Sequence, residues 1–104
     1  MRKTDKKIDN RLRIALTDVC ETALKEIIGF RWLTHLVNYS NFPKSLKIIC
    51  IFDTAENLTA FISGSRKEAL ISLINNTLQT IDIDIKNITT HISFDTEEAC
   101  KKRT

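Results

Sequence analysis

Between Asp5 and Ile28, apolar residues fall at Ile8, Leu12, Ala15, Leu16, Val19, Cys20, Ala23, Leu24, Ile27 and Ile28. That is the i, i+3, i+4, i+7 rhythm of one amphipathic helix. Thr4 or Asp5 can cap its start, and Gly29 can supply the left-handed residue that ends it. At about 1.5 Å per residue the helix runs to roughly 36 Å, enough to cross a small sheet or reach a second subunit. A chain of 104 residues has room for one core, so the remaining elements must be arranged around this helix.

After Gly29 the period changes. Residues 30–39, Phe-Arg-Trp-Leu-Thr-His-Leu-Val-Asn-Tyr, are rich in β-branched and aromatic types and read as a strand. A turn holding Pro43 follows, and then a run from Leu46 to Phe52 that is apolar at nearly every position. Such a strand is covered on both faces or is central, and it should pair with the first as a hairpin. Asp53-Thr54-Ala55-Glu56 resembles an N-cap with a carboxylate three residues on, opening a short helix through Leu58, Phe61 and Ile62. Ser63-Gly64-Ser65 interrupts it, and Ser65 with Glu68 forms a second capping box before Leu70, Leu73, Ile74 and Leu78. Residues 81–85 alternate too briefly to decide between strand and loop. Ile88, Thr90, Ile92 and Phe94 alternate with Thr89, His91 and Ser93 as a final strand.

The order helix, strand, strand, helix, helix, strand predicts a single α+β domain over residues 1–104. Its parts are the long N-terminal helix (5–28), a small, mainly antiparallel three-stranded sheet with a helix pair on one face (30–94), and a basic tail (99–104). Two glycines and one proline are too few for a many-turned β-sandwich. An apolar share of 42% with 28% charged residues is that of an ordinary globular protein.

Several functional classes are disfavoured. No apolar run approaches the roughly 18 residues of a membrane span, and no apolar segment follows the charged start as a secretory signal would. Cys20, Cys50 and Cys100 are odd in number and widely spaced, which points to free thiols in a reducing cytoplasm. Zinc sites take paired ligands from short loops, and neither the cysteines nor His35 and His91 offer such a pair, so no metal is expected. Cys50 with His91 is the one nucleophile–base pair that neighbouring strands could make, but burial would raise the thiol pKa, the wrong direction for catalysis. No phosphate loop or catalytic triad order is present. The expectation is a non-enzymatic protein with no catalytic residues, no cofactor and no small-molecule substrate.

Charge is unevenly placed. Residues 1–13 carry six basic and two acidic side chains, residues 101–104 add three basic ones, and residues 14–100 hold seven basic against eleven acidic. The ends are basic and the body mildly acidic. Lys3, Lys6, Lys7, Arg11 and Arg13 are therefore candidate electrostatic contacts to a polyanion, against the plainer reading of a solubilising terminus. The repeated string Phe-Asp-Thr-x-Glu at 52–56 and 94–98 could suggest paired carboxylates, but capping explains both. Trp32 and Tyr39 could stack on bases, although core or interface packing is the commoner role of such residues.

At the junction of the two later helices, Gly64-Ser65-Arg66-Lys67 combines a glycine with two cations. With the element order, this resembles a KH domain of the bacterial, type II arrangement, in which a Gly-x-x-Gly loop holds a nucleic-acid backbone at helix N-termini. Gly64 and Arg66 match that loop, and Lys67 stands in place of its second glycine. The resemblance implies that Gly64, Arg66 and Lys67 contact nucleic acid. Along nearly its whole length the chain also resembles a group of small gammaproteobacterial proteins, some labelled Fis-like transcriptional regulators. The resemblance is carried by Met1–Asn10, Trp32–Tyr39, Phe42-Pro43, Ser45-Leu46 and Phe94–Glu97. It implies a bacterial cytosolic protein and no defined activity, since the segment after the final strand is too short for the two helices of a Fis-type DNA-binding end.

Two functions follow as expectations. One is a KH-like module that contacts DNA or RNA. The alternative is a protein-interaction or homodimerisation module that uses the long helix and the edge of strand 30–39.

Overall fold

The computed structural model describes residues 3–42 and 44–99, the side chains of residues 3–5 excepted. Helix α1 (Lys3–Glu26) is followed by strands β1 (Phe30–Leu36) and β2 (Lys47–Phe52), helices α2 (Ala55–Ser63) and α3 (Arg66–Gln79), and strand β3 (Ile92–Thr96). The element order is the expected one and the fold is α+β. The sheet is mixed rather than mainly antiparallel, in the order β1-β2-β3, with β1 antiparallel and β3 parallel to the central β2. The parallel pairing arises because α2 and α3 carry the chain back before β3 begins, as a crossover connection must.

Register explains which side chains enter the core. Leu33 lies opposite Cys50 and His35 opposite Ile48, while Cys50 and Ile48 meet Phe94 and Ile92 on the other side. Ile48, Cys50 and Phe52 are buried on this face against Leu12, Leu16, Val19 and Ala23 of α1, Phe61 of α2, and Leu70, Ile74 and Leu78 of α3. All three helices cover this one face. The opposite face carries Trp32, Thr34, Leu36, Ile49, Ile51 and Ser93, with Trp32 43% and Leu36 59% exposed. A bulge between Phe30 and Trp32 aims Arg31 at Glu97, whose carboxylate accepts from its Nε at 2.7 Å.

Gly29 ends the first helical segment at φ +86°, the left-handed geometry expected of it. The space beside it is filled by α2: a Cβ there would lie 2.6 Å from the Cβ of Asn57, and the Gly29 carbonyl accepts from the amide of Asp53 at 2.9 Å. The turn thus pins the end of α1 to the start of α2.

Several local expectations change. Thr4 and Asp5 lie inside α1 rather than capping it. Leu24, still inside α1, is 51% exposed, and Ile28, beyond the end of the helix at Glu26, is 83% exposed. The first strand stops at Leu36, and Tyr39–Asn41 forms a 3-10 turn held by Asn38, whose side chain accepts from the Ser40 amide. Residues 83–85, where the alternation decided neither strand nor loop, are loop; Ile83 and Ile85 are buried as two separate anchors. Residues 88–91 form a 3-10 turn, so the final strand begins only at Ile92.

Candidate nucleic-acid interface

The junction between α2 and α3 is two residues long. Gly64 is extended (φ −95°, ψ −177°), and its amide donates to the Phe61 carbonyl at 3.2 Å. Ser65 is already in helical geometry (φ −81°, ψ −12°) and makes no side-chain capping bond. The expected Ser65–Glu68 capping box is therefore absent: a cap needs extended backbone to swing its oxygen over the first turn, and the short linker gives helical backbone instead. The amides of the first turn of α3 gain no partner from the Ser65 hydroxyl.

Arg66 and Lys67 occupy that first turn but diverge. Arg66 lies beside Glu26 of α1 and Ile27 just after it on one side, and Asn57 and Ala60 of α2 on the other. Lys67 turns to β3, with Nζ 6.0 Å from the centre of the Phe94 ring. The junction thus sits between the C-terminal end of α1 and Phe94 of β3.

The N-terminal cations sit at the far end of α1. Lys6, Lys7, Arg11 and Arg13 are exposed, and Lys3 has its side chain outside the described residues. From Lys7 to Glu26 the helix rises about 28 Å. The structure therefore does not bring the two basic groups predicted from sequence into one patch. Nor do the N-terminal cations share one face. Arg11 lines a hollow with Phe42, Ile81, Asp82 and Ile83, whereas Arg13 turns toward β1 and pairs with Asp9 at 3.0 Å. The cations of the basic tail, Lys101, Lys102 and Arg103, lie outside the described residues.

Asp9 anchors a cluster that sequence patterning did not single out. Its carboxylate accepts from the Tyr39 hydroxyl at 2.6 Å and lies 3.8 Å from Nε2 of His35. The Tyr39 hydrogen bond, followed by the charges of Arg13 and His35, holds the Asp9 carboxyl below its ordinary value. The cluster joins the start of α1 to the far end of β1, which makes Tyr39 a clamp rather than a stacking platform.

Both copies of Phe-Asp-Thr-x-Glu cap helix starts, with threonine as the capping residue. Thr54 Oγ1 accepts from the Asn57 amide at 3.2 Å, and Thr96 Oγ1 accepts from the Ala99 amide at 3.1 Å. The preceding aspartates accept from the threonine amides at 2.6 and 2.8 Å. The hydrogen bond from the Asn57 side chain holds the Asp53 carboxyl low. Cys50 is fully buried, and burial, helped by nearby Cys20, pushes its thiol up to about 12. Its register partner is Phe94, three residues beyond His91, whose Nδ1 lies 2.7 Å from the Leu46 carbonyl; Cys50 and His91 form no pair.

A further group is gathered by the fold alone. Lys44 from the β1–β2 connection, Asp84, Ile85 and Lys86 from the loop after α3, and His91 line a pocket of about 400 Å³. Their sequence separation gives no hint of proximity, which depends on β2 and β3 starting side by side. Among the described residues no group of three or more His, Cys, Asp or Glu side chains could hold a metal ion, and no helix is long and apolar enough to cross a membrane. Comparison with protein-family models, curated proteins and solved structures gave no match.

Proposed function

We propose that the protein is a non-enzymatic, cytoplasmic nucleic-acid-binding module of KH-like architecture, contacting the phosphate backbone of DNA or RNA. The observation that carries this is the α2–α3 junction, where Arg66 and Lys67 stand in the first turn of a 14-residue helix whose leading serine makes no capping bond. Backbone amides with a partial positive charge, flanked on opposite sides by the two cations, can receive an anion. The order α-β-β-α-α-β supports the KH-like reading. Lys6, Lys7 and Arg11 add a second electrostatic contact at the opposite end of α1, suited to a strand that runs the length of the molecule. Lys67 in place of the second glycine of a Gly-x-x-Gly loop makes the contact electrostatic rather than a close approach of backbones.

Fluorescence anisotropy with single- and double-stranded oligonucleotides at two salt concentrations tests the proposal. Binding should weaken steeply with salt and be lost in Arg66→Glu/Lys67→Glu. Binding that neither salt nor these variants alter would sink it.

A second reading, self-association, is favoured by one specific observation. Strand β1 is a sheet edge, and the helix-free face beside it exposes Trp32 and Leu36. A dimer formed there would resist salt and respond to Trp32→Ser instead.

A further inference from the structure

We propose that the pocket formed by Lys44, Lys86 and His91 binds a phosphate-type oxyanion. The pocket lies where β2 and β3 begin, away from the α2–α3 junction, and its walls come from two separate connections. Ile83 and Ile85 are buried and fix the loop after α3, so that the intervening Asp84 and the following Lys86 project outward. Asn87 at φ 56° then turns the chain into the 3-10 turn that ends at His91.

His91 is held in place. Its Nδ1–H donates to the Leu46 carbonyl at 2.7 Å, which sets the ring orientation and leaves Nε2 with no partner among the described residues. Lys44 and Lys86 form no ion pair with the described residues, and Asp84 is the one acid lining the pocket. Two mobile ammonium groups around an apolar floor at Ile85 suit a doubly charged oxyanion, because each lysine can follow a phosphate oxygen as a point charge. A volume of about 400 Å³ admits the ester group as well as the phosphate. Arg11 lines a separate hollow with Asp82 and Ile83, the residues just before Asp84 in the same loop. Asp84 opposes the charge of the two lysines and sets the direction of one test.

The same chemistry is available from a small phosphate ester or from a backbone phosphate of nucleic acid. Amide chemical-shift titrations of the full chain with pyrophosphate, with adenosine monophosphate and with a short oligonucleotide distinguish the two sources. Shifts centred on residues 44–46, 84–87 and 91 are expected with at least one of them. Lys44→Ala/Lys86→Ala should weaken binding about tenfold or more, the loss of at least one charge-assisted contact. Asp84→Asn should tighten it. A well-dispersed spectrum of each variant shows that the fold is retained, since the three substituted side chains are exposed. Pocket shifts with the small anions alone support a metabolite site even if oligonucleotides fail to bind. Pocket shifts with the oligonucleotide alone support a backbone contact. No localised shift with any of the three, or binding indifferent to Lys44→Ala/Lys86→Ala, overturns the proposal. Oligonucleotide binding that perturbs only residues 64–67 overturns it while leaving the nucleic-acid function intact.

Discussion

The Tyr39 hydroxyl donates to the Asp9 carboxylate at 2.6 Å across 30 residues of sequence, joining the first turns of α1 to the 3-10 turn that follows β1. Arg13 and His35 complete the cluster, so one carboxylate ties helix, strand and loop together. Tyr39→Phe removes the hydrogen bond and leaves the ring in contact with Phe42. A loss of about 1 kcal/mol is expected, read as a lower urea midpoint at unchanged slope.

The same cluster sets an acid dependence. The Asp9 carboxyl is held below its unfolded value by the Tyr39 hydrogen bond first and by neighbouring charge next. Its contribution is therefore complete above the unfolded pKa of about 4 and is lost as pH falls through the lower folded value. Asp9→Asn should flatten the stability profile of the protein below about pH 4, measured by denaturant melts at falling pH.

The two glycines should behave oppositely. At Gly29 an alanine must adopt φ +86° and place its Cβ 2.6 Å from that of Asn57. Gly29→Ala should cost roughly 2 kcal/mol or more from the left-handed backbone and the clash. At Gly64 the nearest atom to an added Cβ is the Ala60 carbonyl oxygen at 3.4 Å, and φ is an ordinary −95°. Gly64→Ala should be close to neutral. Thermal melts of the two variants side by side test the contrast.

Caps give a second paired comparison. Thr54→Ala removes a bond to the Asn57 amide and should cost about 1 kcal/mol. Ser65→Ala removes no capping bond and should leave stability nearly unchanged. If the serine variant proved the more damaging, the helix-like geometry of the α2–α3 linker would be wrong.

Cys50 offers a chemical readout of the core. With the thiol pushed up to about 12, the thiolate fraction at pH 8 is on the order of one in ten thousand. In a Cys20→Ser/Cys100→Ser background, thiol labelling at that pH should occur only at the rate of unfolding. Raising the pH from about 8.5 toward the folded value should destabilise the protein, because the unfolded thiol ionises first.

Much of the architecture was legible because it depends on local chemistry. The 3.6-residue rhythm marked α1, Gly29 its end, and the apolar run at 46–52 the central strand. Where local signals misled, a neighbour had decided the outcome. Ser65 has the right side chain for a cap, but a two-residue linker denies it the extended backbone. Ile28 fits the helical stripe, yet the helix ends at Glu26 and leaves it exposed. The candidate sites were legible only in part. Arg66 and Lys67 are adjacent in sequence and their junction could be anticipated. Lys44, Lys86 and His91 come together through the parallel pairing of β2 with β3, a long-range relation that periodicity does not encode.

That parallel pairing also orders how the chain can complete itself. Strands β1 and β2 are joined by a short connection and can zip as soon as both exist. Ile48 must wait for Ile92, the whole helix pair away. Loop-closure entropy must be overcome before that second edge contributes, so the first hairpin and α1 form the early scaffold and β3 closes the sheet last. During synthesis from the N-terminus, one edge of the central strand stays unpaired until the final strand is available, and this is the interval in which the chain is most open to pairing with another.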